Sequence, residues 1–496
     1  MGRERPNMLF LMSDQQRADS LGMVQAGVEV TPALNRLAAE GVVFTRAYSA
    51  CPLCVPARTA IATGFSPHVT GVVLNQGFAA PERFRVLHQF LAEAGYHLGH
   101  VGIDEVRTQP TLQKRVRFAT WYSDSDYQEY VRRKGLLLPE PSSYRRQGGE
   151  YAADGSIDFR QYASTRTGVF PYAREDFRDW QFADAACAFL EGLSARPFAL
   201  FVDFFAPHPP LVVPEPYAHL FPAERIDLPA NVGKRAVPEP PALRRGVPAQ
   251  LAEGVSEGDW RAAWAAHLGL VRLVDDCVGR ILKVLEECGH AGDTVVLFTS
   301  DHGDHLGAHC LYQKMEMYEE AIRTPLVIRA PGGGAASLGV LPPASGEPPA
   351  LPAEALGGAK IPQRGAGRGR HDGLVSHLDL LPTVLELAGL AVPDGFPGKS
   401  LCGALSGGTG RQREAVFSTY DGNFVVGDAR RCAIGPRFKY VWYVGGGGEE
   451  LYDLERDPGE LVNLAAQPAF AEEKARLGAL GRQWAEATGD QRSGFL

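Results

Sequence analysis

Short apolar runs alternate along this chain with stretches whose apolar positions recur at helical spacing. Asn7-Met8-Leu9-Phe10-Leu11-Met12 opens the series as a buried strand. Thr31-Pro32 then starts a helix running to Gly41, since proline suits a first turn, where its missing N–H has no intrahelical partner. Val42-Val43-Phe44 reads as a short strand, Phe84 to Ala94 as a helix and Leu98 to Gly102 as extended. A helix from Asp179 to Leu193 precedes the strand Phe198 to Phe204, and a long helix from Trp260 to Cys288 precedes the strand Thr294 to Thr299. Strands that are apolar at nearly every position suit a sheet covered on both faces. The order predicts a layered α/β fold whose ligands gather beyond the strand ends.

Two regions break the pattern. Residues 331–372 are dense in Gly, Pro and Ala and end in a basic stretch, Arg364 to Arg370. They are expected to form a mobile surface insertion, with a phosphate- or sulfate-binding segment as the lesser reading. From 411 onward the pattern becomes short strands, Val416 to Tyr420, Cys432 to Ile434, Phe438 to Tyr443 and Leu451 to Leu454, and then a helix from Phe470 to Thr488. The expected division is a catalytic part over 1–410 and a smaller C-terminal α+β domain over 411–496.

Composition narrows the function classes. The 496 residues are 45% hydrophobic, ample for a large core, and the formal net charge is -8 with scattered basic residues, which argues against a nucleic-acid partner. No apolar run reaches the length of a membrane span. The start, Met1-Gly2-Arg3-Glu4-Arg5-Pro6, leads straight into the first strand without a signal-peptide core, so the expectation is a cytoplasmic chain whose eight cysteines stay reduced. Cys51 and Cys54 form a C-x-x-C pair with no second pair, which is not zinc spacing. Oligomeric state, a homo-oligomer included, stays open.

The chemistry starts at Cys54-Val55-Pro56-Ala57-Arg58, followed by Thr63-Gly64. If Pro56 is the first residue of a helix, residue 54 lies at that helix N-terminus, where free N–H groups and the dipole favour an anion. Arg58, one turn further in, offers a fixed fork for an oxyanion. Alone, these residues also describe a buried cysteine before an ordinary helix. Two acidic motifs add weight: Ser13-Asp14-Gln15-Gln16 closes the first strand, and Ser300-Asp301-His302-Gly303 closes the strand that ends at Thr299. A carboxylate at a buried strand end needs compensation, which a cation supplies; each motif singly is as often a helix cap.

Together, in this order, the cysteine run and the two acidic motifs resemble the type I sulfatases of the alkaline phosphatase superfamily. The resemblance extends from Asp14 to Glu450-Leu451-Tyr452-Asp453-Leu454 and Asp457-Pro458. It implies an alkaline-phosphatase-like large mixed sheet flanked by helices, with the smaller domain of antiparallel sheet plus helix behind it. It also implies that a formylglycine-generating enzyme oxidises Cys54 to formylglycine, and that Asp14, Gln15, residue 54, Asp301 and His302 hold one divalent cation. Gln15 and His302 stand where many members have a second acid and an asparagine. Calcium, which prefers all-oxygen sites, is the first expectation, and manganese, better suited to imidazole, the second.

The same resemblance assigns Asn75 to the transferred group, His208 to the leaving group, and Arg58 and Lys314 to the negative charge of the ester. His305 and His309 are left between a supporting layer and the surface; His68 and His377 are assigned to structure. The implied reaction is hydrolysis of a small-molecule or saccharide sulfate monoester. One hydroxyl of the hydrated aldehyde attacks sulfur, and the second, which Ser or Thr would lack, then releases sulfate.

One departure is large. Gly99-His100-Val101-Gly102-Ile103-Asp104-Glu105 lies where typical members carry Gly-Lys-x-His, and neither Lys nor His follows Gly102. Asp-His at 301–302 is a feature also found in the choline sulfatase and phosphonate monoester hydrolase branches, and the phosphonate monoester hydrolases also lack the Lys-His pair and share Pro207-His208-Pro209-Pro210. The first alternative is therefore hydrolysis of phosphonate monoesters or phosphodiesters, with Asp104 and Glu105 facing a cationic group as one way to use the change. A non-catalytic binding protein on the same scaffold is the remaining reading, opposed by the intact cysteine run and metal set.

Overall fold

The computed structural model describes residues 5–151, 156–193, 197–331, 369–408, 413–422 and 429–494. Its centre is an eight-stranded sheet. In chain order the strands are β1 Asn7–Asp14, β2 Val42–Phe44, β3 His97–Gly102, β4 Thr120–Ser123, β5 Phe198–Pro207, β6 Thr294–Ser300, β7 Leu326–Arg329 and β8 Gly369–His371. Their spatial order is β8-β2-β7-β6-β1-β5-β3-β4. The five from β6 to β4 run parallel, whereas β7 is antiparallel to both β6 and β2, so the sheet is mixed.

Alternation along β1 explains the all-apolar strands. Leu9 and Leu11 enter one core, and Met8, Phe10 and Met12 enter the other, on the opposite side. The first core is closed by helices Arg178–Glu191 and Glu257–Glu287, the second by helices Leu87–Glu93 and Leu380–Leu387. The helix after β1, Pro32–Glu40, starts where proline and Thr31 predict, but the Thr31 side chain does not cap it. Asp275, sealed in the long helix, does so from outside: its two carboxylate oxygens accept the backbone N–H groups of Ala33 and Leu34 at 2.8 Å each. Asp275→Ala leaves both donors unpaired and is expected to cost about 2–4 kcal/mol of stability, read as a lower denaturant midpoint at unchanged slope.

The C-terminal strands, β9 Val416–Tyr420, β10 Arg430–Ile434, β11 Phe438–Tyr443 and β12 Glu449–Asp453, form an antiparallel sheet in sequential order. One side, with Val416, Cys432 and Val441, packs on Trp264 and Tyr48 of the main body. The other, with Phe438, Tyr440 and Trp442, takes Leu477 of the helix Ala471–Thr488. The expected domain boundary at 410 and 411 lies outside the described residues.

Three expectations change. Residues 332–368 of the expected insertion lie outside the described residues, but its end, Gly369–His371, is the edge strand β8, paired in parallel with β2. The expected helix from Phe84 begins only at Leu87. Missing from the prediction are, among others, β4, β7, the helices Asp124–Lys134 and Leu380–Leu387, and the hairpin of Arg145–Tyr151 with Ile157–Ala163.

Candidate active site

Parallel pairing of β1 with β6 sets Ser13 beside Ser300, so the next residues, Asp14 and Asp301, leave adjacent strand ends together. Asp301 is held by its surroundings: Oδ1 accepts the backbone N–H groups of Gln15 at 3.0 Å and His302 at 2.8 Å, and Oδ2 accepts Arg58 Nε at 2.9 Å. Burial acts to raise its carboxyl, but His302, Arg58 and these donors hold it below the ordinary carboxylate value. Asp14 goes the other way, pushed well up by burial and by the Asp301 charge. His302 Nδ1 contacts the Gly303 carbonyl oxygen at 3.0 Å, and its Nε2 lies 3.7 Å from Asp301 Oδ2 and 3.2 Å from Cys54 Sγ. Burial lowers this imidazole to about 3, so it is neutral, with Nε2 as the free lone pair if Nδ1 carries the hydrogen.

Cys54 is the first residue of the helix Cys54–Thr63, after Leu53 in extended conformation. Pro56 is therefore the third helical residue and not the first, still within the turn whose N–H groups have no intrahelical partner. The helix ends at Gly64, where φ of 74° needs the freedom of glycine. One ligand atom from each of Asp14, Cys54, Asp301 and His302 lies within 4.8 Å of the others. Two buried carboxylates, a neutral imidazole and a sulfur position, one carboxylate badly under-compensated, are a donor set that fits a divalent cation.

Arg58 is sealed and meets four acids: Asp301 at 2.9 Å, Asp203 at 3.0 Å, Asp14 at 3.4 Å and Glu105 at 3.6 Å. Of its fork only Nη2 makes no hydrogen bond among the described residues, so its hold on an outside oxyanion is narrower than the sequence implies. Lys314 Nζ lies 3.1 Å from Cys54 Sγ and donates to Gln15 Oε1 at 2.6 Å. Gln15 accepts Lys314 on its carbonyl oxygen and donates its amide N–H to Asp304, next to the four-donor cluster. Asn75 Oδ1 accepts the N–H of Val55 at 3.1 Å, which fixes the amide over the helix start and leaves its NH2 for a ligand. His208 follows β5, half-buried, with Nδ1 2.6 Å from the Pro209 carbonyl oxygen. Burial and the Lys314 charge hold it well below the ordinary histidine value.

Reading the sequence missed two acids. Asp203, pushed up to about 7 by burial, binds Arg58 from within β5, and its only signal was a charge inside Phe198-Ala199-Leu200-Phe201-Val202-Asp203-Phe204. Asp304 accepts from Leu306 N at 2.9 Å and Gln313 N at 3.0 Å, staking the Lys314 loop to the strand end. His305 and His309 are both sealed, His309 stacked on Tyr318 at 3.7 Å between centroids. His68 packs edge-on against Trp484, and His377 shares a hydrogen bond with Thr324 at 2.9 Å.

The chain is similar to known proteins over most of its length. The chain is 28% identical over 530 residues to a multifunctional alkaline phosphatase superfamily protein, PehA, of Trinickia caryophylli, covering 94% of this chain and 92% of that one. It is 26% identical to an arylsulfatase of Clostridium perfringens over 94% of this chain and 92% of the relative. A choline-sulfatase of Rhizobium meliloti is 27% identical over 95% of this chain and 85% of its own. Among solved structures, a phosphonate monoester hydrolase from Silicibacter pomeroyi shares the fold with a TM-score of 0.75 at 23% identity, over 99% of this chain and 96% of that one. A family model for the C-terminal part of N-sulphoglucosamine sulphohydrolase matches residues 359–483. The Sulfatase family model matches residues 6–390, and the chain belongs to the sulfatase family.

Proposed function

We propose that this enzyme hydrolyses sulfate monoesters at residue 54, with Cys54 converted to formylglycine by a maturation enzyme and one divalent cation held by Asp14, Gln15, residue 54, Asp301 and His302. The observation that carries the reading is the position of Cys54 Sγ: 3.2 Å from His302 Nε2, 3.1 Å from Lys314 Nζ and at a helix N-terminus. The cation would supply charge against the buried carboxylates and against the ester oxygens; calcium is the first choice, and the His302 nitrogen keeps manganese close behind. The hydrated aldehyde would supply one hydroxyl for attack on sulfur and a second whose deprotonation frees sulfate.

The remaining residues prepare the site for an anion. Lys314 and Arg58 Nη2 offset its charge, the Asn75 NH2 orients it, and Asp304 and Asp203 hold the lysine loop and the guanidinium in place. His208 is proposed to pass a proton from Nε2 to the departing alcohol. Burial and Lys314 disfavour its charge in the free protein, and an anionic ester beside it acts in the opposite sense. His208→Ala is therefore expected to slow esters of weakly acidic alcohols by about 10²–10³ and a nitrophenyl ester by less than about tenfold. Equal losses across the series would assign His208 to positioning and leave Lys314 as donor.

A second reading, hydrolysis of phosphonate monoesters or phosphodiesters, is favoured by the absence after Gly102 of the Lys and His of typical sulfatases. The test is kcat/KM for matched nitrophenyl sulfate and nitrophenyl phenylphosphonate at saturating metal. A higher value for the sulfate supports the first reading, and a preference for the phosphonate replaces it with the second.

A further inference from the structure

The charged groups nearest Cys54 are sealed from solvent: Asp14, Arg58, Asp301 and Lys314 are at most 3% exposed. Glu105 is different. Its side chain is 29% exposed, yet Oε2 is buried, 3.6 Å from Arg58 Nε and without a hydrogen bond among the described residues. The neighbouring Asp104 also holds a buried carboxylate oxygen, Oδ1, with no such bond. Both follow Gly102, where φ is 118° and a Cβ would stand 2.0 Å from the Asp203 carbonyl oxygen. Only glycine permits that approach, and it directs the chain from the end of β3 into a turn beside Arg58.

At the site's rim the acids Glu105 and Asp104 are partly exposed, as are the neutral groups His208 and Asn75. Arg107 is the nearby counter-charge to Asp104, and it is exposed. Around Arg58 stand four carboxylates, which Arg58, Lys314 and a divalent cation balance without surplus. A polyanionic substrate would need a positive surplus at that rim. The rim taken by itself, Glu105 and Asp104 against Arg107, carries one negative charge in excess.

We propose that Glu105, supported by Asp104, forms an alcohol-side subsite that selects esters whose alcohol carries a cationic group and rejects those carrying further anionic groups. The inference rests on ester cleavage at residue 54 and adds the substrate class. A carboxylate at the rim acts twice in the discrimination, attracting one alcohol and repelling the other. The contact of buried Oε2 with Arg58 keeps the side chain in one place, and the exposed part of the carboxylate is left to face the incoming ammonium.

The test uses three aryl sulfates of matched leaving-group acidity, bearing a trimethylammonium, a neutral or a carboxylate substituent. The expected order of kcat/KM is cation, neutral, anion, with about a tenfold step on each side, which corresponds to about 1.4 kcal/mol per step. Glu105→Gln should flatten the order, mainly through KM, and raised salt should compress it in the unsubstituted enzyme. Binding of the three corresponding arylmethanesulfonates, which cannot be hydrolysed, should follow the same order. That measurement reads the subsite even if turnover fails, so loss of the parent reading and loss of this one are separable. An unordered binding series, or a Glu105→Gln enzyme slower by one common factor on all three esters, would overturn the proposal and make Glu105 a positioning residue for Arg58.

Discussion

Cys54→Ala is expected to lower turnover of every ester by about 10⁴-fold or more while leaving the fold intact. Sγ touches Lys314, His302 and Asp14 at once, at 3.1, 3.2 and 3.6 Å. No residue nearby replaces it: Cys51 is sealed elsewhere, in the core with Tyr48 and Trp264. The helix does not depend on the thiol, because Ala57 N bonds to Leu53 O at 2.9 Å and Gly64 closes the far end. Stability should therefore change by less than about 1 kcal/mol. Steady-state kinetics beside thermal unfolding checks both halves. Residual activity above about one hundredth of the parent, in protein freed of any wild-type contaminant, would move the nucleophile away from residue 54.

The second large effect is at Asp301. Alanine there strands the N–H groups of Gln15 and His302, removes the shortest of the Arg58 ion pairs and deletes a proposed metal ligand. The expected result is loss of bound metal together with activity, and a stability loss of about 3–5 kcal/mol from the broken buried pair. Asp301→Asn separates the causes. It keeps an acceptor for the backbone donors, so most of the stability should return while the metal does not. Elemental analysis of both variants, with denaturant unfolding alongside, reads this out. Full metal occupancy in Asp301→Ala would place the cation elsewhere.

Much of this arrangement was legible because it is local. Asp14 and Asp301 each follow an apolar strand directly, and two parallel strands in register bring such residues together without further instruction. The helix start at Cys54 was legible to within two residues from Pro56. What local pattern could not carry was partnership. Arg58 looked like a free fork, and only the packing of β5 against β3 shows Asp203 and Glu105 on either side of it. Gln15 gave no sign of its partner, the lysine that a loop 299 residues on brings to its carbonyl oxygen. The edge strand Gly369–His371 has no apolar alternation to betray it, since its order comes from hydrogen bonds to β2. The hairpin of Arg145–Tyr151 and Ile157–Ala163 exposes Phe159 and Ile157, so its pattern is that of a surface ribbon and not of a buried strand.

Residue 54 itself offers the most direct check on the central claim. Preparations made with graded amounts of a formylglycine-generating enzyme would contain graded fractions of aldehyde, measurable by mass spectrometry of the peptide around Cys54-Val55-Pro56-Ala57-Arg58. Ester hydrolysis at saturating metal should rise in proportion to that fraction and extrapolate to zero at zero aldehyde. Full activity in a preparation whose residue 54 is an unmodified thiol would contradict the account.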